Sequence, residues 1–249
     1  MACFAVAAIG LPVRAALPDT IERIKPSVVV IGQYLPTGNP RFTSTGAGFA
    51  VADGRFVITN AHVIVQAKLD TPTASLKLLL RVSPTELQQR DASLVDSDAE
   101  HDLALLRVDG KPLAPLAIAD SDAVREGQAV AFTGFPIGGV LGFSAVTHRG
   151  TISSITPIAL PSPSARTLDA KTAARLREGL FDIFQLDATA YPGNSGGPLF
   201  DPDSGQVVGI INMVFVKGTK ESMLSQPSGI TYAIPSKYIA ALLQRHNLR

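Results

Sequence analysis

Short apolar or alternating runs, punctuated by glycine, proline, asparagine and aspartate, fill most of the chain, and sustained helical periodicity is scarce. That punctuation belongs to an all-β sandwich or barrel. The pattern predicts strands over Ser27–Gln33, Gly46–Ala52, Arg55–Thr59, Leu76–Val82, Leu103–Val108, Gln128–Thr133, Phe143–Ile155, Gln206–Val214 and Gly229–Ile234. Pro112, Pro115 and Gly127 mark Lys111–Glu126 as a connection between two halves. Two segments break the pattern. Ser162–Gly179 opens with prolines and continues as a short helix over Thr167–Gly179 closed by its glycine, which reads as an insertion between strands. Ser236–Asn247 follows Pro235 with Ser236 as N-cap, and its stripe of Tyr238, Ile239, Leu242 and Leu243 predicts a terminal helix docked on the body.

At 249 residues the chain can form one large β domain or two small barrels, each with its own core. Lys and Arg number 22 against 21 for Asp and Glu. This balance gives no electrostatic reason to expect nucleic acid or an anionic membrane as partner. Cys3 is the single cysteine, so no intramolecular disulfide forms, and the four histidines show no zinc spacing. The chemistry therefore falls to side chains, with no metal or organic cofactor required. Residues 1–15 read as a secretory signal peptide: Met1–Val13 is apolar, and Val13-Arg14-Ala15 before Ala16 resembles a small-residue cleavage site. No Lys or Arg precedes the apolar run, a departure from the usual signal, and the run is too short to span a membrane. A secreted or bacterial periplasmic location follows from that reading.

Gly193-Asn194-Ser195-Gly196-Gly197-Pro198 sets one serine among glycines that let backbone N–H groups converge beside its hydroxyl. A serine hydroxyl is a weak nucleophile at neutral pH and needs both a base and donors for the oxyanion. Gly193 and Ser195, with Asn194 between them, are the candidate oxyanion hole. Thr59-Asn60-Ala61-His62-Val63-Ile64 offers the base, and His101-Asp102-Leu103-Ala104-Leu105-Leu106 offers the acid that orients it. Singly these residues have blander readings: a glycine-rich turn, a core histidine, a turn aspartate. Together they are more specific, because a carboxylate buried at the start of a strand requires a partner such as an imidazole N–H. His101, His148 and His246 read as structural or solvated. Gly193-x-Ser195-x-Gly197 also fits the nucleophile elbow of α/β-hydrolases, but those carry acid and histidine after the serine. The order His62, Asp102, Ser195 is instead that of the two-barrel serine proteases.

With these motifs the chain resembles a trypsin-like serine protease of the bacterial HtrA (Deg) type over most of residues 25–240. The resemblance rests on Thr45-Gly46-Ala47-Gly48-Phe49, Val57 to Val63, His101 to Leu105, Gly134-Phe135-Pro136, Gly150-Thr151-Ile152-Ser153, Gly193 to Leu199 and Tyr232-Ala233-Ile234-Pro235. It implies an all-β fold of two perpendicular six-stranded barrels. Residues 16–120 would carry His62 and Asp102, residues 121–235 would carry Ser195, and 236–249 would form the C-terminal helix. The family's usual PDZ domain is not expected here, since Arg249 follows soon after that helix. Asn194 stands where secreted zymogens carry the acidic residue of their activation switch. Thr189, six before the serine, is acidic in trypsins that cut after Lys or Arg, so a basic P1 is not implied. Thr189, Ala190, Tyr191, Ile211, Asn212 and Met213 would shape a primary pocket for a small or medium aliphatic residue, and the strand around Ile211–Val214 would pair with an extended substrate. Three loops match the family's regulatory loops in position: Tyr34–Ser44, Thr156–Gly179 and Phe215–Ser228. The implied partners are unfolded or extended polypeptides, with no nucleic acid and no stable membrane span; a homo-oligomer is compatible with the family. The implied function is a serine endopeptidase of protein quality control or processing. The rival is a catalytically silent peptide-binding or chaperone-like module on the same fold.

Overall fold

The computed structural model describes residues 17–83, 86–137, 142–158, 181–213 and 230–248. The segment read as a signal peptide, the helix over Thr167–Gly179, the loop Phe215–Ser228 and nearly all of the loop Thr156–Gly179 lie outside the described residues.

Twelve strands close into two antiparallel barrels. The first comprises β1 (Val28–Tyr34), β2 (Phe42–Val51), β3 (Phe56–Thr59), β4 (Ser75–Arg81), β5 (Leu87–Asp98) and β6 (Leu103–Val108), ordered β1-β2-β3-β6-β5-β4. The second comprises β7 (Ala129–Gly134), β8 (Val146–Ile158), β9 (Phe181–Asp187), β10 (Pro198–Phe200), β11 (Val207–Asn212) and β12 (Ile230–Pro235), ordered β10-β11-β12-β9-β8-β7. Three helices accompany them among the described residues: α1 (Leu17–Ile24), α2 (Ala61–Gln66) and α3 (Ser236–Arg245).

Several strands read as continuous apolar runs because their two faces serve two cores. In β1, Val29 and Ile31 fill the first barrel with Val57, Leu78, Leu80, Leu106 and Val108. Val28 and Val30, on the other face, join Phe49, Ile58, Leu103 and Leu105 in a second cluster. That cluster continues into Phe135, Phe200, Val207 and Ile210, and into Ile239, Leu242 and Leu243 of α3. It packs the barrels against one another and holds α3 on both. Each fully buried Leu, Ile or Phe there contributes roughly 1.5–3 kcal/mol of burial. The interior of the second barrel holds Val130, Phe132, Ile152, Phe184, Leu186, Leu199 and Ile211.

Three strands escape the sequence pattern. β5 (LQQRDASLVDSD) is almost wholly exposed or half-exposed, yet it is a strand because β4 and β6 supply hydrogen bonds on both edges, with a bulge between Leu94 and Asp96. β10 has only three residues, and β9 adjoins the expected insertion. The strand expected from Phe143 begins instead at Val146, since Phe143 has a φ of 53°. Ser236 is not the cap of α3: Pro235 holds that position, and the Ser236 hydroxyl donates to the Ala119 carbonyl at 2.7 Å.

Candidate active site

His62 lies in the first turn of α2, directly after buried β3, and Asp102 ends the turn that joins β5 to β6. Asp102 is 7% exposed with a left-handed φ of 51°, a conformation that persists only where neighbours over-determine it. They do so here. Its carbonyl accepts from Ala61 N–H and from Asn60 Nδ2, each at 3.1 Å. Its Oδ1 accepts the His62 backbone N–H at 2.8 Å, and its Oδ2 meets His62 Nδ1 at 2.6 Å. The fully buried Asn212, at the end of β11, donates Nδ2 to the same Oδ2 at 2.7 Å. An ionised carboxylate only accepts, so the proton of this pair sits on Nδ1 and the lone pair on Nε2.

Ser195 occupies the turn between β9 and β10, 5% exposed, between Gly193 (φ 103°) and Gly196 (φ 85°). At Gly196 a Cβ would stand 2.0 Å from the Ala47 carbonyl oxygen and 2.5 Å from Thr59 Oγ1, so only glycine lets the serine turn press against the first barrel. The Ser195 carbonyl accepts the Ala47 N–H at 2.8 Å. Gly46, beside it, lies within reach of both the Ser195 carbonyl and Val63 of α2. Ser195 is thus brought to the helix that carries His62, whose hydrogen bonds among the described residues run to Asp102.

The turn's own N–H groups divide into two sets. Those of Gly196, Gly197 and Asn194 are committed to the carbonyls of Ile211, Asn194 and Tyr191. Asn194, grouped in the sequence with the oxyanion donors, is therefore not one: its backbone N–H is taken at 2.9 Å, and its side-chain carboxamide is buried without a partner among the described residues. Those of Gly193 and Ser195 meet no protein acceptor among the described residues. The Pro192 carbonyl accepts from Ile137 N–H at 2.8 Å, and the Gly193 carbonyl from Phe135 N–H at 3.4 Å. In a trans peptide C=O and N–H point oppositely, so the first of these bonds turns the Gly193 N–H away from Ile137.

The residues expected at the primary pocket separate in the same way. Thr189, Tyr191 and Met213 are half-buried. Ala190 and Ile211 belong to the second-barrel core, and the Asn212 side chain is turned to Asp102. Thr231 of β12, which sequence reasoning did not single out, accepts the Ala190 N–H at 2.9 Å and donates to the Ala188 carbonyl at 2.7 Å, stapling this wall. The other histidines are structural. His101 and His246 pair with Asp98 and Asp96. His148 stacks on Phe132 with 4.8 Å between ring centroids, and burial pushes its pKa down.

Two closed barrels thus carry a histidine–carboxylate pair on one and a glycine-flanked serine on the other. A family model described as "Trypsin-like peptidase domain" matches residues 46–210. The chain belongs to the trypsin-like peptidase family. Among curated relatives, the "Probable periplasmic serine endoprotease DegP-like" of Marinomonas sp. (strain MWYL1) is 30% identical over 214 residues, covering 86% of this chain and 38% of that protein. "Serine protease Do-like HtrB" of Bacillus subtilis (strain 168) is 30% identical over 245 residues, covering 92% and 46%. The chain thus spans less than half the length of these relatives. The solved structure "HtrA-type protease AlgW with tripeptide" superposes with a TM-score of 0.64 at 26% identity, covering 94% of this chain and 65% of that one.

Proposed function

We propose that the chain is a serine endopeptidase in which residues 16–120 supply His62 and Asp102 and residues 121–235 supply Ser195. Ser195 Oγ attacks the peptide carbonyl while His62 Nε2 takes its proton, then returns it to the leaving amine. Asp102 holds Nδ1–H, fixing the tautomer and stabilising the imidazolium as it forms. Water repeats the sequence on the acyl-enzyme and regenerates Ser195. The N–H groups of Gly193 and Ser195 receive the oxyanion. The observation that carries this reading is the coincidence of three donors on Asp102 with two unclaimed N–H groups beside Ser195.

β10 pairs with β11 from Pro198 opposite Ile210, and this reading assigns the strand around Ile211–Val214 to pairing with an extended peptide. Thr189 and Ala190 suit a small or medium aliphatic P1. Unfolded or extended polypeptides in the periplasm or outside the cell, in quality control or processing, are the substrates this reading assigns, in keeping with the relatives' names. Casein digestion tests it. The wild type cleaves casein, and Ser195→Ala keeps the fold and loses several orders of magnitude of kcat. A folded wild type that leaves casein intact supports the silent peptide-binding module instead.

A further inference from the structure

Asp102 is fixed from ahead by α2 and β11, but its strained backbone is also approached from behind. The preceding residue, His101, is tied into the turn by Asp98: the His101 N–H donates to Oδ1 at 3.1 Å, and Nδ1 meets Oδ2 at 3.0 Å. The imidazole stacks on Tyr238 of α3, with ring centroids 4.1 Å apart and planes 20° apart. Phe181, the first residue of β9, meets His101 edge-on at 5.0 Å and Tyr238 at 5.5 Å. Three rings from the acid-bearing turn, the second barrel and the terminal helix therefore form one contact. The charged surroundings reinforce it. Arg245 Nη2 lies 3.3 Å from Asp96 Oδ2 and 3.6 Å from Asp98 Oδ2, and His246 Nε2 lies 2.8 Å from Asp96 Oδ2. The hydrogen bond from His246 is the chief cause that holds the Asp96 carboxyl below its ordinary value. On the far side of Tyr238, its hydroxyl accepts from Asp182 N–H at 3.2 Å, and Lys237 pairs with Asp122 and Asp182.

We infer that α3 is a positioning element for the reaction: Tyr238, through the stacked His101 ring and its Asp98 anchor, holds the turn that presents the Asp102 carboxylate to His62. His101 and Tyr238 touch neither substrate nor reacting atoms, and both act through Asp102. The inference rests on the reading of Asp102 as the orienting acid. A left-handed residue is a weak point in the chain, and the rigid aromatic contact next to it limits the displacements open to the carboxylate. Misplacing a reacting group by about 1 Å costs on the order of 100-fold in rate.

The test compares His101→Ala, Tyr238→Ala and Tyr238→Phe in the full chain. The readouts are steady-state kinetics, the pH profile of kcat/KM, and the downfield proton NMR resonance of the His62–Asp102 hydrogen bond, assigned by its loss in His62→Ala. In the two alanine variants kcat falls about 10- to 100-fold with little change in KM. The downfield resonance shifts or disappears. The acid limb of kcat/KM, which reports the base, moves with it. Tyr238→Phe keeps the ring and restores both the resonance and the limb. Folded alanine variants with the wild-type resonance and acid limb overturn the inference, whatever their kcat. Where an alanine variant does not fold, His101→Gln and Tyr238→Leu are read in the same way. A wild type that cleaves nothing defeats the peptidase reading alone, since the resonance still reports the placement of Asp102.

Discussion

Two of the histidine–aspartate pairs take their aspartates from positions four apart, Asp98 and Asp102, and only one of the two lies beside the serine turn. His62 Nδ1 meets Asp102 Oδ2 at 2.6 Å, and His101 Nδ1 meets Asp98 Oδ2 at 3.0 Å; the histidine side chains are almost equally exposed, at 17% and 18%. The difference lies in what else each pair touches. The Asp102 carboxylate takes further donors from the His62 backbone and from Asn212 on the opposite barrel, whereas Asp98 gains the His101 N–H and a distant Arg245. The ring of His101 is covered by Tyr238 and edged by Phe181, while His62 has no such ring contact among the described residues and rides on the helix beside the serine turn. A histidine–carboxylate pair is thus a common structural motif. It becomes a base when a second element approaches its free nitrogen and a third fixes its carboxylate.

Replacing the two histidines separates the pairs most sharply. His62→Ala is expected to lower kcat by on the order of 10⁴- to 10⁶-fold, whereas His101→Ala loses about 10- to 100-fold. Peptide hydrolysis by both variants under identical conditions measures the gap. Comparable losses would dissolve the distinction. Asn212→Ala comes next. It removes one of two donors to Asp102 Oδ2 and is expected to lower kcat about tenfold and stability by about 1.5–3 kcal/mol, the range for a hydrogen bond to a charged group. Urea unfolding and kinetics on one preparation check both figures. The smallest effect concerns His148, a histidine with no carboxylate partner at all among the described residues. Burial depresses its pKa in the folded state, so the unfolded chain takes up the proton first as pH falls. Its contribution to stability is complete above about pH 6.5 and is lost below it, at no more than about 1.4 kcal/mol per pH unit. His148→Phe should flatten that decline in melting temperature between neutral and mildly acidic pH. An unchanged decline would mean that His148 is protonated as easily folded as unfolded.

Much of this was legible in the sequence wherever chemistry depends on local runs. An all-β sandwich or barrel follows from the spacing of apolar runs, two six-stranded barrels from the family resemblance, and the pairing of His62 with Asp102 from the order of the motifs and the need of a buried carboxylate for a partner. β5 was invisible because a strand held by hydrogen bonds on both edges needs no apolar face. The sequence points Asn212 to the substrate pocket because its strand leads there. Nothing local announces a side chain that turns across the inter-barrel cleft to a carboxylate 110 positions earlier in the chain. Adjacency groups Asn194 with the oxyanion donors, and only the tertiary path of the turn shows that its N–H is taken by the Tyr191 carbonyl. Phe135 and Ile137, whose N–H groups orient the serine turn, lie in or beside Gly134-Phe135-Pro136, a motif whose purpose appears once the barrels close. His101 reads as structural or solvated, and its stacking partner Tyr238 is not legible because it is distant in sequence.

Fluorophosphonate labelling, read by mass spectrometry of the modified peptide, asks directly whether the glycine-flanked serine is activated by the His62–Asp102 pair. The arrangement described predicts one label, on Ser195, lost in His62→Ala and retained at a reduced rate in His101→Ala. A folded wild type that takes no label, or a label that survives His62→Ala undiminished, would contradict it.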